Sequence, residues 1–510
     1  MGPPLRCSLA GSPPITTIFQ LDISLKDAQG LGDRAHYAGE TGAKAVDKSS
    51  SFAFRRRSSA GVARGSAHRE RRPMTFAFLV NARSLTITDA FFRASRAGGY
   101  LFPPDRPTAA VVAALSTHRR RFVLADNGAF NEIGRLARTA SAITGPDRWD
   151  QILDALRTAA DGIDSVAQLT VQLSVAPDAI IGAEDITLAV WLRAGVDEAR
   201  LRVRRREVAR RNVRVASRGA ALQQQLAPAE VLTVASAHDY DTANDAGRAF
   251  AEAGIRGAAI GFGAFMADDR WAATAKVAGR SRSLGRSLPF RYPRTALVSR
   301  GFFDGWNQTG LPAPERFHFL GLGAPIMLPI AALPAMACAA VSFDATSPIK
   351  DAVEGTLSVT RPAALKVRTW KVAEAIARGD RTGWSCPCRF CKTFTAAHPF
   401  HLDAIRSARS ASARPFVSAD LRPGASLGSA APLFRIGTDV LAREAEQARI
   451  GHNHWVLGTL TRRLTKRAHD LESIVEISVR QYEANAGAPH YAAAVRLAYE
   501  ISRPNGHPWS

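Results

Sequence analysis

Cysteine is scarce in this chain: five residues in 510, three of them crowded between positions 386 and 391. So few thiols exclude a disulfide-stapled fold and point to a reducing, cytoplasmic setting. The first residues lack the compact apolar core and cleavage site of a secretory leader, so none is expected. No Gly-x-Gly-x-x-Gly turn follows an early apolar run, which weakens a dinucleotide-binding reading. Nor is there a repeat of solenoid length. Acidic residues are in deficit, 45 Asp and Glu against 67 Lys and Arg, a formal charge of +22. That balance makes nucleic acid the first partner to test.

Uncharged runs of bilayer length are nearly absent too. The exception is residues 319–343, which could span a membrane by length alone. Within it Gly321, Gly323, Pro325, Pro329 and Pro334 would repeatedly break a single helix. Two buried strands bracketing a buried helix account for both the apolarity and the breaks, so no membrane association is expected.

What is present is a globular composition, 46% hydrophobic and 22% charged, in a chain long enough for roughly two to four domains or one elaborated barrel. Residues 1–73 are rich in Ser, Gly and Ala and hold the basic stretches Arg55-Arg56-Arg57 and Arg69-Glu70-Arg71-Arg72. They read as a disordered basic tail or a mis-annotated start, with Met74 as the true beginning. The tail carries twelve Lys and Arg against six Asp and Glu, so about +16 remains beyond it.

From Phe76-Ala77-Phe78-Leu79-Val80 onward, short apolar runs end in a polar residue or Gly and give way to helical spacing. Examples are Phe122-Val123-Leu124-Ala125-Asp126, Val231-Leu232-Thr233-Val234-Ala235-Ser236, Ala258-Ala259-Ile260-Gly261, residues 317–323 and Ala339-Ala340-Val341-Ser342-Phe343-Asp344. This alternation predicts a parallel sheet, and closure into a (β/α)8 TIM barrel would gather the polar run-ends at one mouth. The expected organisation is a barrel core over residues 74–383, a zinc-binding subdomain over 384–460 and a helical segment over 461–510. A dense basic segment, residues 200–214, reads either as a solvated helix face or as a phosphate contact.

Cys386-Pro387-Cys388-Arg389-Phe390-Cys391 places three thiols within six residues, a soft donor set that suits zinc. The fourth ligand must come from elsewhere. His452 and His454 in Gly451-His452-Asn453-His454-Trp455 are the best candidates, with His398 and His401 nearer in sequence. A closed Cys3His site would be structural, since four protein ligands leave no open position on the ion. Asp126 and Asp344 each end an apolar run, where a carboxylate is costly to desolvate unless it is paired or employed. Singly, each could be a helix cap or turn residue. Together at one mouth they could divide nucleophilic and acid/base work, as glycosyl transfer requires.

These motifs, in this order over residues 122–453, resemble the tRNA-guanine transglycosylase superfamily, whose members exchange guanine in a polynucleotide for a 7-deazaguanine base. Asp126-Asn127-Gly128-Ala129-Phe130 resembles the family's Asp-Ser-Gly-Gly-Phe loop, which implies acid/base work for Asp126 and substrate contacts for Asn127, Gly128 and Phe130. Ala259-Ile260-Gly261-Phe262-Gly263 is similar to its Gly-rich base-binding strand. Phe319-Leu320-Gly321-Leu322-Gly323-Ala324-Pro325 is similar to Met-Gly-Val-Gly-Thr-Pro, and Phe343-Asp344 to the Phe-Asp that holds the nucleophile. The resemblance therefore implies base-binding roles for Gly261, Gly263, Gly321 and Gly323. Its Phe-Asp-Glu base-reading site matches loosely from Pro177-Asp178 to Glu184-Asp185, which leaves Asp178, Glu184 and Asp185 as candidate base readers, and the three cysteines with His452-Asn453 look like the family zinc site.

The departures are specific. Ala345-Thr346-Ser347-Pro348-Ile349-Lys350 replaces Pro-Thr-Arg after the nucleophile, Ala235-Ser236-Ala237-His238 replaces a Gln-Gly strand end and leaves Ser236 at the base contact, and sixty residues separate Cys391 from His452. Such changes resemble the divergent branch that inserts 7-deazapurines, such as 7-cyano-7-deazaguanine, into DNA. The expected partners are therefore DNA, with tRNA as the alternative, a 7-deazaguanine base, and helper proteins of a DNA-modification cluster. No redox or nucleotide cofactor is expected beside one structural Zn2+. The competing expectation from another class is a non-catalytic, zinc-containing nucleic-acid-binding subunit.

Overall fold

The computed structural model describes residues 74–503 apart from 104–107, 118–120, 153–165, 263–272, 285–290, 360–364, 369–385, 392–439 and a few isolated positions. The expectations for the tail 1–73, for Gly263, and for His398 and His401 lie outside the described residues.

Eight strands close into an all-parallel barrel: β1 (Thr75–Asn81), β2 (Gly99–Phe102), β3 (Phe122–Ala125), β4 (Ala179–Gly182), β5 (Glu230–Ala235), β6 (Gly257–Gly261), and, after the hairpin β7 (Ala273–Val277) and β8 (Arg280–Leu284), β9 (Arg316–Leu320) and β10 (Ala340–Asp344). The order around the barrel is β1-β10-β9-β6-β5-β4-β3-β2. Helices follow the strands as in a (β/α)8 barrel, so the fold expected from the alternation is the fold observed. Residues 319–343 resolve into the end of β9, the buried helix Met327–Ala332 and β10. Among the described residues, no helix is long and apolar enough to cross a membrane.

The side-chain period of two sorts each strand into two faces. Leu79, Leu101, Leu124, Ala179, Ile181, Leu232, Val234 and Ala259 pack together as the barrel interior, with Ala77, Phe122 and Leu320 against them. The alternate residues, among them Phe78, Tyr100, Val123, Ile180, Phe319 and Phe343, belong to the larger layer between barrel and helices.

The long helix Val440–Lys466 packs on β1, on helix Asp89–Ser95 and on helix Ser347–Val353, and so closes the helical ring where β10 meets β1. A Cβ at Gly458 would meet the carbonyl oxygens of Ser95 and Arg96 at 2.5–2.6 Å, which measures how closely this helix seats. The boundary expected at residue 460 therefore falls inside a continuous helix, because the apolar face that covers the barrel runs through it. Helices Leu471–Asn485 and Pro489–Ser502 complete the chain.

Candidate active site and metal centre

Asp344 ends β10 in phase with Ala340 and Ser342, and Asp126 follows β3 in phase with Phe122 and Leu124. Strand alternation therefore turns both carboxylates inward at the C-terminal mouth, three strands apart around the barrel. Asp344 is 6% exposed. Its Oδ1 accepts the Gly321 backbone N–H at 2.9 Å and contacts Nε2 of His318 at 3.2 Å. His318 is fully buried inside the barrel, and its Nδ1 lies 2.8 Å from Oγ of Ser342. A neutral imidazole satisfies both contacts by donating from Nε2 to the carboxylate and accepting the Ser342 hydroxyl at Nδ1. Oδ2 of Asp344 has no protein partner among the described residues, so one oxygen is anchored and the other is presented to the mouth. Neither acid caps a helix: Asp126 Oδ1 accepts the N–H of Asn127 at 2.9 Å.

A polar network continues from β3 to β5. Asn127 donates from Nδ2 to Glu184 at 2.8 Å and accepts the Ala129 N–H at Oδ1, 3.0 Å away, which sets the turn into helix Ala129–Ala142. Gly128, at φ 73°, is the left-handed residue that this turn needs. Asp185 accepts from the buried Arg211 at 2.9 Å and from the Thr187 N–H at 2.9 Å. Ser236 donates its hydroxyl to the Asp185 carbonyl at 2.6 Å, and Asn212 bonds the Ser236 backbone on both sides. Glu184, Asp185 and Ser236 thus share one rim with Asp126 and Asn127.

The remaining expected contacts sort by geometry. Among the described residues, a Cβ at Gly261 would meet nothing within 4 Å, so none of them crowds this backbone at the mouth. Gly321, at φ 78°, supplies the N–H that holds Asp344. Gly323 is a packing position, since a Cβ there would lie 2.1 Å from Oγ of Ser347 and 2.4 Å from Cβ of Ala345. Phe130 does not join the network: half exposed, it lies under the Arg193 guanidinium at 5.3 Å. Three of the eight arginines between residues 200 and 214 are held in ion pairs. Arg204 pairs with Asp150 and Glu207, Arg205 with Asp241 and Asp245, and Arg211 with Asp185 and Glu207.

Two inward polar residues escaped the sequence reading. His318 sits between Phe317 and Phe319, and strand alternation was the available signal that its side chain points opposite to theirs. Asn81, at the end of β1 and in phase with Leu79, is buried with no hydrogen-bond partner for Nδ2 among the described residues. It lies on the strand between those that carry Asp344 and Leu101.

The candidate metal centre is assembled from a short loop and the long helix. Ligand atoms of Cys386, Cys388, Cys391 and His452 lie within 4.8 Å of one another, and His452 Nδ1 is 3.4, 3.6 and 3.5 Å from the three sulfurs in turn. His452 Nε2 lies 2.7 Å from the Ser358 carbonyl oxygen. Donation there fixes the tautomer and aims the Nδ1 lone pair at the sulfurs, the outer-shell arrangement of a metal-binding histidine. Backbone N–H groups of Cys388 and Cys391 donate to the sulfurs of Cys386 and Cys388. Hydrogen bonds from Cys388 and Cys391 hold the Cys386 thiol well below its ordinary value, while its two neighbours push Cys391 up. Burial opposes charging of His452, but the Cys386 and Cys388 sulfurs outweigh it and lift the imidazole to about 9. Crowded donors of this kind want a cation at their centre, and the set can hold a metal ion with no open position.

His454 is no ligand. Two residues further along the helix, it points to the barrel side, with Nδ1 at 2.8 Å from the Ile450 carbonyl oxygen and its ring against Phe78 and Phe91. Burial depresses it to about 4, the mark of a neutral core histidine.

Asn453 and Arg449 tie the same helix to the segment after Asp344. Asn453 accepts the Ser358 N–H at 2.8 Å and donates to the Pro348 and Thr356 carbonyls, and Arg449 donates to the Ala352 carbonyl. The metal centre and the candidate nucleophile are thus connected through helix Ser347–Val353 and strand β11 (Thr356–Ser358).

No family model and no curated protein matches this chain.

Proposed function

We propose that the protein is a base-exchange transglycosylase that replaces guanine in DNA with a 7-deazaguanine through a covalent Asp344–glycosyl intermediate. The observation that carries this reading is the inward pair at one mouth, Asp344 with a single anchored oxygen and Asp126 across from it. Oδ2 of Asp344 attacks C1′ of the target deoxyguanosine, and the glycosidic bond breaks as Asp126 gives the departing guanine its proton. A 7-cyano-7-deazaguanine then loses its N9 proton to Asp126, forms the new bond at C1′ and releases the aspartate. Two inversions give net retention. His318 and the Gly321 N–H stabilise Asp344 as an anion in both of its roles, nucleophile and leaving group. The target nucleotide must be flipped out or single-stranded to reach the mouth, and the open backbone at Gly261 leaves room for a planar base. Glu184, Asp185 and Ser236 form the base-reading rim. Zn2+ in the Cys386, Cys388, Cys391 and His452 site is structural.

The test is incubation of the purified protein with labelled 7-cyano-7-deazaguanine and either DNA or tRNA. Incorporation into DNA, abolished by Asp344→Asn, is the expected result. Incorporation into tRNA alone would reassign the substrate, and binding of DNA with no exchange into either would make the protein a binding subunit.

A further inference from the structure

A second basic feature lies at the opposite end of the barrel from the acids. Where the strands begin, a cavity of about 880 Å3 opens between the barrel floor and the last turns of helix Val440–Lys466. Arg96, Arg316, Arg462, Arg463, Lys466 and Arg467 line it, and among the described residues no carboxylate does. Three of these cations are occupied. Arg316 pairs with Glu230 at 2.7 Å and covers the Phe122 ring at 4.4 Å, Arg467 pairs with Asp470 at 2.6 Å, and Arg96 stacks on Trp455 at 5.1 Å. Arg462, Arg463 and Lys466 are exposed and have no acidic partner among the described residues.

One or two cations at a helix C-terminus are ordinary complements to its dipole. Here four stand within six residues, and Arg316 from β9 and Arg96 from beside β2 face the same concavity. Packing like charges around a cavity costs electrostatic free energy that a bound polyanion relieves. We propose that this cavity binds the phosphodiester backbone of a polynucleotide, at a site separate from the barrel mouth. The open concavity and long, unpaired cationic side chains fit an extended chain of phosphates, and contacts of this type position a strand without reading its bases. This site shares its partner class with the function proposed above but not its chemistry.

The test uses the full-length protein, fluorescence anisotropy with a labelled single-stranded oligodeoxynucleotide, and a salt titration. The triple variant Arg462→Glu/Arg463→Glu/Lys466→Glu is expected to lose roughly tenfold or more in affinity near 0.1 M salt. Its slope of log affinity against log salt should fall by about 2, at roughly 0.7 per lost phosphate contact. With an oligonucleotide that contains no guanine the mouth has no base to exchange, so failure of the base-exchange reading leaves this one standing. If the glutamate variant does not fold, the corresponding triple glutamine variant gives the same readings with a smaller loss. Unchanged affinity and slope would overturn the proposal. So would inorganic tripolyphosphate binding wild type, but not the variant, while oligonucleotide affinity is equal in the two, since the cavity would then serve a small phosphate compound.

Discussion

Asp344 illustrates how one residue's position fixes its chemistry. Its Oδ1 is taken by the Gly321 N–H and by His318, so the carboxylate cannot rotate without breaking two hydrogen bonds. Replacing His318 with Phe removes a hydrogen bond to a buried carboxylate, worth about 1.5–3 kcal/mol. The expected outcome is a fall in kcat of roughly 10–100-fold with KM for the polynucleotide little changed, measured by steady-state base exchange. Restoration by His318→Gln, which can still donate, would mark the role as positioning. Both acids were legible in the sequence because each ends an apolar run at a strand's polar terminus. His318 was not, since a lone histidine among Phe317, Phe319 and Leu320 reads as part of an apolar run until strand phase is assigned. Asn81 was missed for a related reason: it closes the run Phe76-Ala77-Phe78-Leu79-Val80 and looks like its flank, whereas the side-chain period places it inside.

At the scale of elements, six of the eight barrel strands were readable from their apolar runs, β3 among them at only four residues, whereas the equally short β2 and β4 were not, because no polar residue directly follows them as Asp126 follows β3. The helix Val440–Lys466 was hidden as well, because its two faces serve different neighbours: His452 turns to the cysteine loop and His454 to the barrel. Metal analysis separates them. Cys388→Ser is expected to lose its bound metal and His454→Phe to retain it. Hydrogen exchange should then rise in residues 347–358 of the first variant alone, since Asn453 and His452 hold that segment. Glycines fix another junction. Where helix Tyr240–Glu252 crosses helix Arg291–Asn307, a Cβ at Gly247 would lie 1.9 Å from the Phe302 carbonyl oxygen, and one at Gly305 would lie 2.0 Å from that of Asn244. No side chain can yield there, because the obstacle is backbone. Gly305→Ala is expected to lower unfolding stability by about 1–3 kcal/mol, read from denaturant midpoints, with the metal content unchanged.

For the whole molecule, the fold divides its tasks by face. The C-terminal mouth carries Asp126 and Asp344 with the rim of Glu184, Asp185 and Ser236, and the N-terminal foot carries the cationic cavity. His452 and Asn453, at the Cys3His cluster, brace the segment that leaves Asp344. The charge of +22 makes a polyanion the partner to test, but composition could not say where: three arginines of the densest run are held in ion pairs, while Arg462, Arg463 and Lys466 at the end of a long helix have no acidic partner among the described residues. The most direct measurement of the central claim is the mass of the protein after incubation with a guanine-containing oligodeoxynucleotide, with no incoming base supplied. A covalent protein–DNA adduct that maps to Asp344, is absent in Asp344→Asn and is discharged by added 7-cyano-7-deazaguanine is the result predicted. Base exchange that proceeds with no adduct, or an adduct that persists in Asp344→Asn, would contradict it.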